Sequence, residues 1–132
     1  MPSSVISIPL ISLAIAQSSA ATITCFPARY VQVQDDGVEY DRVDCVRSRR
    51  TNPQCSARSY AIDKLQIGPL AYTSSGQVPR QGEFLGRFHL LIDRGTGAFL
   101  FVVVATKEDD PRWHNVKTFS GRCMNANKGL PL

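Results

Sequence analysis

Four cysteines narrow what this chain can become more than any other feature does. Cys25, Cys45, Cys55 and Cys123 all follow an apolar leader, and an even number of cysteines in a small exported chain reads as a disulfide framework. Zinc is the rival use of four thiols, but the Cys-x-x-Cys spacing usual in such sites does not occur. Four cysteines allow three pairings, and spacing alone does not choose among them. The favoured pairing is Cys25 with Cys123 and Cys45 with Cys55. The first bridge ties together the two ends of the domain, and closing so long a loop is worth about 4–5 kcal/mol through the unfolded chain. The second closes a short loop that holds Arg47, Arg49, Arg50 and Pro53.

Export is inferred from the leader. Val5 to Ala16 is almost wholly apolar and runs into Gln17-Ser18-Ser19-Ala20-Ala21, small residues suited to signal peptidase. The apolar run falls short of the ~20 residues that a bilayer span needs. Residues 1–21 are therefore expected to be a signal peptide cut after Ala20 or Ala21, and 22–132 a single disulfide-bonded domain, secreted and free of the membrane. A domain of this size buries one modest core, for which cross-links are useful. No Lys, Arg, Asp or Glu precedes Arg29, so the formal net charge of +4 belongs wholly to the domain. That balance permits a polyanion partner without requiring one, because Asp35, Asp36, Glu39, Asp41 and Asp44 stand close before the arginines. The sequence has no P-loop, no Gly-x-Ser-x-Gly elbow and no metal-binding cluster of His and acids, and a monomer without metal or cofactor is expected.

Periodicity supplies the expected elements. Tyr30 to Gln34 alternates like a half-buried strand and Asp35-Asp36-Gly37 is a turn signal before Val38-Glu39-Tyr40, which together predict an N-terminal hairpin. Ser56 to Leu65 reads as a short helix stopped by Gly68-Pro69. Phe84 to Ile92 and Ala98 to Thr106 form a long hairpin around Asp93-Arg94-Gly95-Thr96-Gly97. Phe99 to Val104 is apolar at every position and should be a central strand covered on both faces. Val116 to Cys123 supplies a last strand. The expected fold class is α+β, one short helix packed on an antiparallel sheet of about four to five strands.

Alternation places Glu83, Leu85, Arg87, His89 and Leu91 on one strand face. Glu83, Arg87 and His89 are a carboxylate, a guanidinium and an imidazole, the groups that phosphodiester cleavage by general acid–base catalysis requires. An ordinary ion pair on a solvated face is the plainer reading. Arg47, Arg49 and Arg50, held in a disulfide loop, suit phosphates. Trp113 lies between Arg112 and His114, where it could stack a base or plug the core under its loop.

Gly68-Pro69-Leu70 with Ser74-Ser75-Gly76, then Gly86-Arg87-Phe88-His89-Leu90-Leu91-Ile92, then the Ala98 to Thr106 strand follow one another between a first and a closing cysteine. In that order the chain resembles the fungal guanyl-specific ribonucleases and the ribonuclease-like effectors that share their fold, over about half of the domain. In those enzymes a catalytic glutamate stands two residues before the matching proline, an arginine begins the next strand, and a histidine follows the apolar strand. Here Ile67 takes the glutamate's place, Arg87 matches the arginine, and Lys107 or Thr106 falls where the histidine should be. Thr24-Cys25-Phe26 also departs from the tyrosine-x-cysteine start of the effectors. The resemblance implies a pseudo-ribonuclease effector of a plant-pathogenic fungus, a secreted virulence protein that reaches host tissue and binds host RNA or a host protein. Its expected contacts are Arg47, Arg49, Arg50, Arg87, Lys107, Arg112, Trp113 and His114. The alternative is an active secreted endoribonuclease whose acid and base have moved to Glu83 and His89 around Arg87.

Overall fold

A computed structural model describes residues 21–34, 39–48 and 51–125. The signal-peptide reading of the leader, the Asp35-Asp36-Gly37 turn, Arg49 and Arg50 lie outside the described residues. The described chain runs β1 (Thr22–Gln34), β2 (Glu39–Asp44), a single helical turn α1 (Cys45–Ser48), β3 (Arg58–Ala61), β4 (Gln66–Ile67), β5 (Ala71–Gln81), β6 (Phe84–Asp93), β7 (Ala98–Lys107) and β8 (His114–Asn125). The strands form one eight-stranded sheet in the order β2-β1-β8-β7-β6-β5-β4, with β3 paired to the first part of β1. Every ladder is antiparallel.

This overturns the α+β expectation of a helix on a sheet of four to five strands. Ser56 to Leu65 holds no α-helix: Arg58–Ala61 is strand β3, and Ile62–Lys64 is a turn of 3-10 helix. Tyr60, Ile62 and Leu65 carry little helical periodicity, and the free edge of β1 offers Ser59 and Tyr60 partners in Thr24 and Ile23. A short segment beside an open edge satisfies its backbone better by joining the sheet than by forming a marginal helix. The one α-helix among the described residues, α1, is four residues long. Its first turn is capped by the Asp44 carboxylate, which accepts from Val46 N at 3.0 Å.

The N-terminal hairpin of β1 and β2 is present, from Arg29 opposite Asp44 to Val33 opposite Glu39. So is the long β6–β7 hairpin. Its turn is closed by Asp93, whose Oδ1 accepts from Gly95 N and Thr96 N at 2.7 and 3.1 Å, and by Gly97 at φ 79°. β1 pairs with β2, β3 and β8, and its register against β8 shifts between Pro27 and Arg29. Proline has no N–H to give to the ladder, so the strand bulges there. Gly121 of β8 lies opposite that bulge, where a Cβ would stand 2.1 Å from Phe26 O.

Alternation divides the sheet into two faces. Gly86, Phe88, Leu90 and Ile92 of β6 share the inner face with Phe99, Phe101, Val103 and Ala105 of β7 and with Asn115, Lys117 and Phe119 of β8. One end of this face is the core: Ile23, Tyr30, Tyr72, Leu90, Ile92, Phe99 and Phe119 are buried there, with Tyr60, Ile62 and Leu65 packed over them. Both favoured disulfides are present. Cys25–Cys123 lies within this core, and Cys45–Cys55 joins α1 to the 3-10 turn Pro53–Cys55. The outer face carries Leu85, Arg87, His89 and Leu91 of β6 and Leu100, Val102, Val104 and Thr106 of β7. β7 is central as expected, but no described element lies over its outer side, where Leu100 is 41% exposed.

Candidate functional site

Beyond the core the inner face stays open and forms a groove of about 450 Å³ between the β5–β6 hairpin and β8. Phe84, Val103, Ala105, Trp113, Asn115 and Lys117 are among its walls. Phe84 opens β6 directly opposite Lys107 at the end of β7. Trp113 closes the β7–β8 loop, which is held by Trp113 N donating to Asp110 O at 3.0 Å and Asp110 N donating to Lys107 O at 3.3 Å. The two rings stand 5.7 Å apart, tilted by 53°. Lys107 Nζ lies 4.7 Å from the Trp113 ring centre and 5.9 Å from that of Phe84, an ammonium held at two aromatic rings. An ion pair between Arg80 and Glu108 and a 2.9 Å bond from Glu108 N to Glu83 O tie the β5–β6 turn to this loop.

Toward the core the groove becomes polar on one side. Tyr30 donates its hydroxyl to Gln32 Oε1 at 3.0 Å, and Gln32 Nε2 donates to Asn115 Oδ1 at 3.0 Å. Lys117 is the cross-strand partner of both Gln32 and Val103. The Arg58 guanidinium covers Phe119 at 4.4 Å and Phe101 at 5.1 Å, where the closed core meets the open groove. Burial raises the pKa of the Tyr30 phenol above 10.0, and Asp41 pushes it the same way, so at neutral pH it is a hydrogen-bond donor. Burial also raises Tyr60, against the lowering influence of Arg58. The result is a groove walled by Phe84, Trp113, Asn115 and Lys117, with the Lys107 ammonium on its aromatic rings and the Arg58 guanidinium over the neighbouring core. Such a surface suits a ligand with flat apolar parts and negative charge.

The residues singled out from the sequence are divided among several surfaces. Arg87 and His89 are exposed on the outer face and border one depression of about 780 Å³ with Gln77, Arg80 and Thr106. Glu83 is not among its walls. It lies in the β5–β6 turn beside Gly82 at φ 60°, because β6 begins only at Phe84, and the alternation that was to align it with Arg87 does not extend that far. Ile67, Arg87 and Lys107, the three positions aligned with the ribonuclease catalytic set, occupy the edge strand β4, the outer face and the inner face. Arg47 is exposed, 3.9 Å from Asp44. Arg112 is exposed in the loop before β8, and His114 starts β8 opposite Thr106. Trp113 is a wall of the groove instead of a plug in the core.

Sequence reasoning missed Phe84, Lys117, Asn115, Gln32 and Arg58. Asn115 and Lys117 had a legible signal, since they alternate with Phe119 and must share its face. Arg58 and Gln32 had none, because their place depends on pairings between distant segments. Among the described residues no three His, Cys, Asp or Glu side chains are grouped to hold a metal ion, and no helix is long and apolar enough to cross a membrane. Compared with known protein families, with characterised proteins and with solved structures, the chain finds no match.

Proposed function

We propose that the exported domain is a binding protein, an effector of the kind the resemblance implies, whose ligand is single-stranded host RNA held in the inner-face groove. The observation that carries this reading is the grouping of Lys107 with Trp113 and Phe84. Bases stack on aromatic side chains with about 1–3 kcal/mol each, whatever their identity. A lysine beside the stack meets the phosphate, and each such contact adds salt-dependent affinity. Lys117 adds positive charge to the groove wall, and Asn115, bonded to Gln32, offers an amide to base edges. Sheet faces bearing aromatic residues are a recurrent platform for unpaired RNA.

Trp113 is the only tryptophan, so its fluorescence reports the groove directly. Titrating the oxidised protein with a single-stranded RNA oligonucleotide should quench that fluorescence to saturation, with affinity falling as salt rises. A folded protein whose Trp113 emission does not respond to RNA at low salt would refute the reading. The alternative with Glu83, Arg87 and His89 as a relocated nuclease site has no corresponding support, since Glu83 does not border the depression that the other two share.

A further inference from the structure

We infer that the outer face of the sheet is a self-association surface, on which a second copy of this chain packs face to face. This inference is independent of the RNA reading, because the groove lies on the opposite face. Leu91 and Leu100 are direct cross-strand partners at the centre of the face and are 47% and 41% exposed. Leu85, Val102 and Val104 continue the apolar surface on β6 and β7. A strand that is apolar at every position, as Phe99 to Val104 is, normally lies between two covering layers. Among the described residues only its inner side receives one, and then only at the Phe99 end.

The distribution of charge selects a second copy as the missing layer. Along β6 the outer-facing residues run Leu85, Arg87, His89, Leu91, Asp93. Two identical sheets facing each other are related by a two-fold axis between them, and an axis crossing the strands sets β6 antiparallel over its own copy. With that axis between His89 and Leu91, Arg87 meets Asp93 of the second copy, and the reverse contact forms at the other end. On β7 the same axis sets Val102 over Leu100 of the second copy. On β8 it brings together the small side chains Thr118 and Ser120, which leave room for the leucines. On β6 the arginine and the aspartate therefore bracket His89 and Leu91, each of which faces the other residue in the second copy, beside the apolar Leu100 and Val102 of β7, in a self-complementary order. Asp93 uses Oδ1 for its own turn and keeps Oδ2 for the guanidinium. Stable interfaces bury about 800 Å² on each partner, which requires most of the outer face of β5 to β8.

Sedimentation equilibrium of the secreted, oxidised protein tests this. A dimer is expected, and Leu91→Asp or Leu100→Asp should weaken it at least about 30-fold, the loss typical of a central interface residue. Both leucines are exposed in the single copy, so an unchanged circular dichroism spectrum is expected. Arg87→Glu should also weaken the dimer by setting two acids opposite each other. Adding Asp93→Asn should restore part of the affinity, since asparagine keeps the turn acceptor and removes the repulsion. A protein that stays monomeric at about 100 μM, where even weak interfaces fill, overturns the inference. So does a dimer indifferent to Leu91→Asp and Leu100→Asp.

Discussion

Removing the two disulfides one at a time should give unequal losses whose order follows from the chain lengths they close. Cys25 and Cys123 are separated by 98 residues, for which the chain-entropy treatment gives about 4.7 kcal/mol at 25 °C. Cys45 and Cys55 are separated by 10 residues, for which it gives about 2.7 kcal/mol. Packing adds to both losses, since Cys25 and Cys123 lie within the main core beside Ile23, Tyr30 and Phe119 and Cys45 and Cys55 are buried outside it, so alanine opens space at either bridge. The Cys25→Ala/Cys123→Ala protein should therefore lose about 2 kcal/mol more than the Cys45→Ala/Cys55→Ala protein. The assay is urea unfolding of both variants and the oxidised parent, followed by circular dichroism. With a urea slope of about 1–3 kcal/mol/M, the midpoints of the two variants should differ by about 1 M or more. Against a total stability of about 5–15 kcal/mol, the first variant is left marginal. Equal losses, or a larger loss from the shorter loop, would refute the reasoning, because loop entropy could not then be setting the order.

Gly121→Ala should cost more than about 3 kcal/mol or prevent folding, because its Cβ would stand 2.1 Å from Phe26 O and 2.8 Å from Ala28 N, backbone atoms that cannot turn aside. Gly76→Ala, which meets only the Phe88 ring at 3.0 Å, should cost clearly less, and thermal unfolding of the two variants checks the contrast. Lys107→Met keeps the hydrophobic stem and removes the charge beside Trp113; it should weaken RNA binding and lower the slope of log affinity against log salt by about 0.7, measured by Trp113 quenching at several salt concentrations. The phenols of Tyr30 and Tyr60 have pKa values raised in the fold above 10.0. Their contribution to stability is thus complete below about pH 10 and is lost as pH rises through that value towards the folded pKa, so urea midpoints should fall in step with tyrosinate absorbance.

The sequence made the β-rich half of the fold legible because its signals are local. Asp93 to Gly97 is a turn wherever it occurs, and the apolar run of β7 can only be a central strand. The cysteine pairing was favoured for a different reason, since joining Cys25 to Cys123 ties the two ends of the domain together. The helix expected over Ser56 to Leu65 failed because nothing local distinguishes a weak helix from an edge strand. The decision rests with β1, whose first half accepts Arg58 to Ala61 because β2 pairs only from Arg29 onward. The site divided in the same way. Trp113 was found from residue type and Lys107 from the resemblance, whereas Arg87 and His89 were joined to Glu83 by an alternation that stops at the turn. Gln32 and Arg58 take their places through pairings between distant segments, which no window along the sequence can show, whereas Lys117 alternates with Phe119 within one strand.

Ser56 to Leu65, expected to pack on the sheet as a helix, leaves the Phe84, Val103 and Trp113 end of the inner face uncovered. As a strand with a following 3-10 turn, the same residues cover only the end of the inner face at Tyr72, Ile92 and Phe119, and Arg58 marks the limit of that cover with its guanidinium on Phe119 and Phe101. A small domain normally closes all the apolar surface it can, because burial at about 25 cal/mol per Å² is its main source of stability. This one leaves Phe84, Val103 and Trp113 partly open while a disulfide strengthens the closed end. A covalent bridge at one end makes an uncovered surface tolerable at the other, which is the surface proposed to hold RNA.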